Sequence, residues 1–155
     1  MNRLPVEIKS IIAEYVYNDI TIKFEPKFLE DHIDELNWVQ ISQNRSISEE
    51  FFERHIDKVK WYSISQNTSL SEDFFERHID KLNWYWISRN TSISEEFFER
   101  HIDKVNWLSI SRSNPLSTEF FERHINKVNW NCISHNYELI KKIKALDVKA
   151  FIESL

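Results

Sequence analysis

Apolar residues recur along this chain at a long, constant interval. Trp38, Trp61, Trp84, Trp107 and Trp130 stand 23 residues apart. Three residues after each comes an isoleucine (Ile41, Ile64, Ile87, Ile110, Ile133), and a serine follows every one. Thirteen and fourteen residues after a tryptophan come the pairs Phe51-Phe52, Phe74-Phe75, Phe97-Phe98 and Phe120-Phe121. Arg54, Arg77, Arg100 and Arg123 follow, each directly before a histidine (His55, His78, His101, His124). At about 100° per residue, one such interval carries a helix roughly 140° past a whole number of turns. The repeated apolar residues would then wander around one long helix, so each unit must contain breaks.

The breaks are legible. Ser48, Ser71, Ser94 and Ser117 sit where an N-cap belongs, and the first three precede acidic residues that suit the positive end of a helix. Ile47, Leu70, Ile93 and Leu116 precede those serines, placed to staple onto Phe52, Phe75, Phe98 and Phe121. This spacing predicts a helix from about Glu49, and from its equivalents, lasting roughly two to three turns. Asp57, Asp80, Asp103 and Asn126 are placed to cap a following helix that carries Trp-x-x-Ile-Ser. That helix is expected to end at Asn44, Asn67, Asn90 and Asn136, with asparagine in the left-handed C-cap place of glycine. A unit is then a pair of short helices that cannot bury its apolar set alone and must stack on its neighbours.

The predicted fold is all-α: an α-solenoid of about five helix-turn-helix repeats between capping helices. It forms a single domain over 1–155, with 1–37 the N-terminal cap and a degenerate repeat, 38–136 the regular repeats, and 137–155 the C-terminal capping helices. In the degenerate repeat Tyr15 takes the Trp place, Phe28, Leu29, His32, Ile33 and Leu36 keep step, and Pro26 opens a helix where a missing N–H costs little. Ile140, Ile143 and Leu146 offer the tail an apolar face. Ser113, Asn114 and Pro115 interrupt one repeat, so that loop should differ in shape.

Composition narrows the function classes. The chain has no glycine, which excludes phosphate-cradling loops such as GxxxxGK or GxGxxG. Its formal net charge of −5, from 20 basic and 25 acidic residues, disfavours nucleic acid. Cys132 is alone, so no internal disulfide framework exists. With no secretory signal and no membrane-length apolar run, the expected location is intracellular, in the cytoplasm.

The recurring polar residues invite chemistry but read better as structure. Histidines at equivalent places in stacked repeats should lie about 8–10 Å apart, too far to share a zinc ion. Half-buried rings bonded to backbone carbonyls are expected instead, with no metal and no cofactor. Glu50, Asp73, Glu96 and Glu119 lie four residues before the arginines, which suggests ion pairs along one helix. The tryptophans read as core, so that Trp84→Ala would cost about 3–5 kcal/mol. A catalytic centre is normally singular, whereas these residues recur, and no enzyme is expected.

Positions that the repeat leaves free are the candidate partner-binding residues. They are the two residues after each Trp (Val39-Gln40, Tyr62-Ser63, Tyr85-Trp86, Leu108-Ser109, Asn131-Cys132) and the fifth (Gln43, Gln66, Arg89, Arg112, His135). Tyr62, Tyr85, Trp86, Gln43, Gln66, Arg89 and Arg112 stand out, with Trp86 the expected exposed anchor. Drift on a solvated face would explain the same variation.

From Trp38 to Asn136 the array resembles the short helical repeats found in multi-copy proteins of giant DNA viruses of the mimivirus type. That resemblance implies a viral interaction protein located in the host cell. Leu4-Pro5-Val6-Glu7-Ile8, with Ile11, Ile12, Tyr15 and Val16, resembles the start of an F-box. It implies a substrate receptor that meets a ubiquitin-ligase adaptor through Leu4, Pro5, Ile8 and Ile12. The same residues also suit a plain N-terminal cap.

Overall fold

A serine hydroxyl marks the start of each Phe-Phe helix. Ser48, Ser71, Ser94 and Ser117 have extended backbones, and their hydroxyls accept the amides of Phe51, Phe74, Phe97 and Phe120 at 3.1–3.3 Å. This satisfies an amide that the first turn of a helix leaves without a partner. The computed structural model describes residues 26–113, 115–136 and 139–141. Among these, all regular structure is helical, and the chain divides into two compact units, Met1–Leu82 and Asn83–Leu155.

The first unit contains α1 (Pro26–Asp31), α2 (Trp38–Gln43), α3 (Glu49–Arg54), α4 (Trp61–Ile64) and α5 (Glu72–Arg77), then a 3-10 turn at Ile79–Lys81. The second contains α6 (Trp84–Ile87), α7 (Glu95–Arg100), α8 (Trp107–Ser113), α9 (Thr118–Arg123) and α10 (Trp130–Ile133). Helices α2 and α4 pack together in the first unit, as do α8 and α10 in the second. The Phe-Phe helices are only six residues long, under two turns and shorter than their spacing predicts. Each ends at a histidine whose backbone has left the helical region, with φ near −120°. In the irregular repeat α8 runs on to Ser113, seven residues against four in α4, α6 and α10. Of the tail, residues 139–141 are helical and Leu139 is buried; Ile143 and Leu146 lie outside the described residues.

The asparagine before Trp, rather than the earlier aspartate, caps the Trp helices. Asn37 accepts the Val39 amide at 3.1 Å, Asn83 accepts Trp86, Asn106 accepts Ser109 and Asn129 accepts Cys132. Asp57 and its equivalents fall three residues too early. The amide of the next lysine there closes a tight turn onto the histidine carbonyl, as from Lys58 to His55 at 2.9 Å and from Lys127 to His124 at 2.8 Å. Lys60 occupies the capping place once and makes no side-chain cap bond.

Each unit is filled by the same columns. Phe52, Phe74, Phe75, Phe97, Phe98 and Phe120 are wholly enclosed, with Ile41, Ile64, Ile87 and Ile110 beside them. Ile47, Leu70, Ile93 and Leu116, the staple positions, are buried too. The tryptophans are not core. Trp38, Trp61, Trp84 and Trp107 are half-buried and Trp130 is exposed. Each lies at the rim, as where the Trp38, Trp84 and Trp107 rings stack on Phe51, Phe97 and Phe120 at 6.0–6.1 Å. An indole has too much surface to be enclosed between helices of four to seven residues, so it covers the Phe column from outside.

The asparagines after the Trp helices also differ from their expected role. Asn44, with φ −71° and ψ 117°, is extended and not left-handed. Asn67 is buried and works through its side chain. Its Nδ2 donates to the carbonyls of Ser42 and Asn44 at 3.2 and 3.3 Å, in the preceding repeat. Its Oδ1 accepts both the amide and the hydroxyl of Ser69. Asn136 likewise donates to the Ser111 carbonyl at 3.2 Å in the second unit. Glycine could not replace such a residue.

Two outcomes follow for stability. Phe98→Ala should cost about 3–5 kcal/mol as an enclosed truncation, whereas Trp84→Ala should cost about half of that, both read by denaturant unfolding. Asn67→Gly should be at least as damaging as Asn67→Ala, each losing roughly 1–3 kcal/mol; a stabilising glycine would restore the left-handed role.

Candidate functional site

Two sets of side chains recur at the surface, and only one is occupied with holding the repeats together. In the first set a glutamate of one repeat is shared by the next. Arg54 Nε and Nη2 donate to Glu30 Oε1 at 3.2 and 2.8 Å, while His55 Nε2 meets Oε2 at 2.9 Å. Glu53 receives Arg77 and His78 in the same way, and in the second unit Glu99 receives Arg123 and His124. The arginines therefore pair 24 residues back, in the preceding repeat, and not four back within their own helix as expected. The histidine rings are half-buried as predicted, but three of them bond a carboxylate. His32 meets a backbone carbonyl, that of Phe28, at 2.9 Å.

Aromatic packing fixes each imidazole. The His78 ring lies 5.0 Å from Phe74 and 5.2 Å from Trp61, and His124 lies 5.0 Å from Phe120 and 5.4 Å from Trp107. Lys81 and Lys127 cover Trp61 and Trp107 at 5.4 and 5.9 Å. Electrostatics follow from the pairing. Partial burial pushes Glu53 and Glu99 up, but the hydrogen bonds from their arginine and histidine outweigh it and hold both below the ordinary 4.5. The Arg54 hydrogen bond does the same for Glu30. A second glutamate also reaches forward: Glu49 accepts the Ser71 amide, and Glu95 accepts the amide and hydroxyl of Ser117.

The shared glutamate was missed in the sequence, although its signal was present. Glu30, Glu53, Glu76, Glu99 and Glu122 hold one place in the degenerate repeat and in the first four Trp-led repeats. A charge kept that strictly has a fixed partner.

The second set is the residues at places where the repeat varies in sequence. One place after the Trp, Val39, Tyr62, Tyr85 and Leu108 are 46%, 52%, 41% and 51% exposed. Four residues further on, one helical turn away on the same face, stand Gln43, Gln66, Arg89 and Arg112. Gln43 and Arg112 are exposed, Gln66 and Arg89 half-buried. Pairs form along this face: Gln66 donates to the Tyr62 carbonyl at 3.2 Å, and the Arg89 guanidinium lies 5.7 Å from the Tyr85 ring. The place two after the Trp behaves differently. Ser63 and Ser109 are buried with hydroxyls that find no partner, and Trp86 is half-buried, its ring at right angles to Tyr85 at 5.0 Å. Leu4, Pro5, Ile8 and Ile12 lie outside the described residues.

No group of three or more His, Cys, Asp or Glu among the described residues is arranged to hold a metal ion. No helix among them is long and apolar enough to cross a membrane. No protein-family model, curated protein or solved structure matches this chain.

The glutamate clamps have a pH signature. A carboxyl held below its unfolded value contributes stability that is complete above the ordinary carboxylate range and is lost as pH falls through the folded value. The melting temperature should therefore fall as pH drops below about 4.5, and Glu53→Gln with Glu99→Gln should flatten that fall. At neutral pH each substitution should cost no more than about 1 kcal/mol, since these carboxylates are a third exposed. An unchanged pH slope in the double variant would exclude the clamps as its source.

Proposed function

We propose that this chain is a non-catalytic protein–protein interaction scaffold, an α-solenoid of five Trp-led repeats whose variable face reads a partner protein. The observation that carries the reading is the division of labour within each repeat. Phe, Ile, Ser, Asn, Glu, Arg and His are consumed by packing and by bonds between neighbouring repeats. Val39, Tyr62, Tyr85 and Leu108, by contrast, keep large apolar surfaces in water at one constant place. Exposed apolar and aromatic side chains that return at one place of the repeat in each unit are what an interface uses for its anchors. Repetition extends such a face without needing any single reactive centre.

The test is affinity capture with the full chain against a Tyr62→Ser, Tyr85→Ser, Leu108→Ser variant of equal melting temperature. The reading expects proteins retained by the parent chain to be lost on the variant. Retention of no protein by the parent, or equal retention by both, would overturn it.

A further inference from the structure

The two units differ in the charge of this face. In the first, the segments that start at Trp38 and Trp61 read Trp-Val-Gln-Ile-Ser-Gln and Trp-Tyr-Ser-Ile-Ser-Gln, with Gln43 and Gln66 beside the exposed Val39 and Tyr62. In the second, those that start at Trp84 and Trp107 read Trp-Tyr-Trp-Ile-Ser-Arg and Trp-Leu-Ser-Ile-Ser-Arg, with Arg89 and Arg112 beside Tyr85 and Leu108, and the one at Trp130 reads Trp-Asn-Cys-Ile-Ser-His. None of these six-residue segments carries an acidic residue. Arg54, Arg77 and Arg123 each meet a glutamate at 2.7–2.9 Å. Arg89 and Arg112 meet no carboxylate among the described residues, and Arg89 instead lies 5.7 Å from both the Tyr85 and the Trp86 ring. The equivalent helices are tied in sequence order, the Asn106 amide donating to the Ser88 hydroxyl at 2.9 Å. Two like charges therefore stand at the same place in adjacent repeats, beside exposed apolar side chains.

We propose that the face formed by Tyr85, Trp86, Arg89, Leu108 and Arg112 docks an acidic peptide segment of a partner protein. Its carboxylates pair with the two guanidinium groups, and an aromatic or aliphatic side chain packs against Tyr85 and Leu108. A guanidinium already stacked on rings has lost much of its freedom, so a carboxylate pairs with it at lower entropic cost than with a free arginine. Nucleic acid fits less well, because the chain is net −5 and one of the two exposed apolar contacts, Leu108, is aliphatic and gives a base nothing to stack on. The proposal rests on the scaffold reading above and narrows it to one face and one chemistry.

A library of phage-displayed random peptides, panned on the full chain and on an Arg89→Glu, Arg112→Glu chain, tests it. Melting curves establish that both chains are folded; neither arginine is enclosed, so both should be. Peptides that combine Asp or Glu with Phe, Tyr, Trp or Leu should be enriched on the parent chain. A synthetic copy of the leading peptide should lose at least about tenfold in affinity on the variant, and should weaken as salt rises. Gln43→Glu with Gln66→Glu should leave its affinity unchanged. Enriched peptides without acidic residues, or peptides bound equally by the variant, would overturn the assignment of this face and leave the scaffold reading standing. No enrichment on either chain would remove the scaffold reading as well. An oligothymidine probe bound through Arg89 and Arg112 would overturn the proposal in favour of a nucleic-acid face.

Discussion

Helices of four to seven residues do not persist alone in water, and every helix described here is that short. Their ends expose amides and carbonyls that must find partners. The partners are largely side chains of the repeat before or after. Ser42 accepts the Lys60 amide at 3.0 Å, and Ser111 accepts that of Asn129 at 3.1 Å. Asn67 and Asn136 take carbonyls of the preceding repeat, and Glu49 and Glu95 take the amide of the next serine cap. One repeat therefore completes the helix ends of its neighbour. That dependence explains why the small polar residues recur as strictly as the aromatics.

The same dependence decides where variation is allowed. A residue that caps, clamps or fills is tied to two repeats at once, and changing it disturbs both. The place after each Trp is exposed and varies among Val, Tyr, Leu and Asn. Arg89 and Arg112 replace Gln43 and Gln66 at no structural cost, so the charge of the face can differ between the two units while their interiors stay alike.

Much of this was legible in the chain. Ser48 and its equivalents announced their helices because an N-cap is a local device: hydroxyl, amide and acidic first turn lie within four residues. The Phe and Ile columns were legible because burial follows from apolarity and spacing. Contacts between repeats were not. Arg54 has acidic residues both four and 24 places before it, and only the packing of α3 beside α1 selects Glu30. The Trp column misled because its residue type and regularity mimic a core, and the limiting factor was the length of the helices, which periodicity does not report. Asn44, Asn67 and Asn136 misled because the absence of glycine suggested a backbone role, when Asn67 and Asn136 act through their amide side chains. The binding face was legible as a list of unconstrained positions, but Ser63 and Ser109 on that list turn inward.

The shared glutamate also has a direction. Within each unit, a repeat offers a carboxylate forward and receives its arginine and histidine from the repeat that follows, so the two sides of a repeat are complementary to each other rather than alike. A contact of this kind adds head to tail and is not the self-complementary patch of a two-fold pair. An in-frame duplication of one 23-residue interval within the regular repeats would deliver a complete donor, a complete acceptor and every cap in step. Glu122, the last in its column, is exposed and is followed 24 and 25 residues later by Leu146 and Asp147 instead of arginine and histidine. A repeat added by duplication in this way would bring both halves of its clamp with it, so lengthening the array would need no new kind of contact.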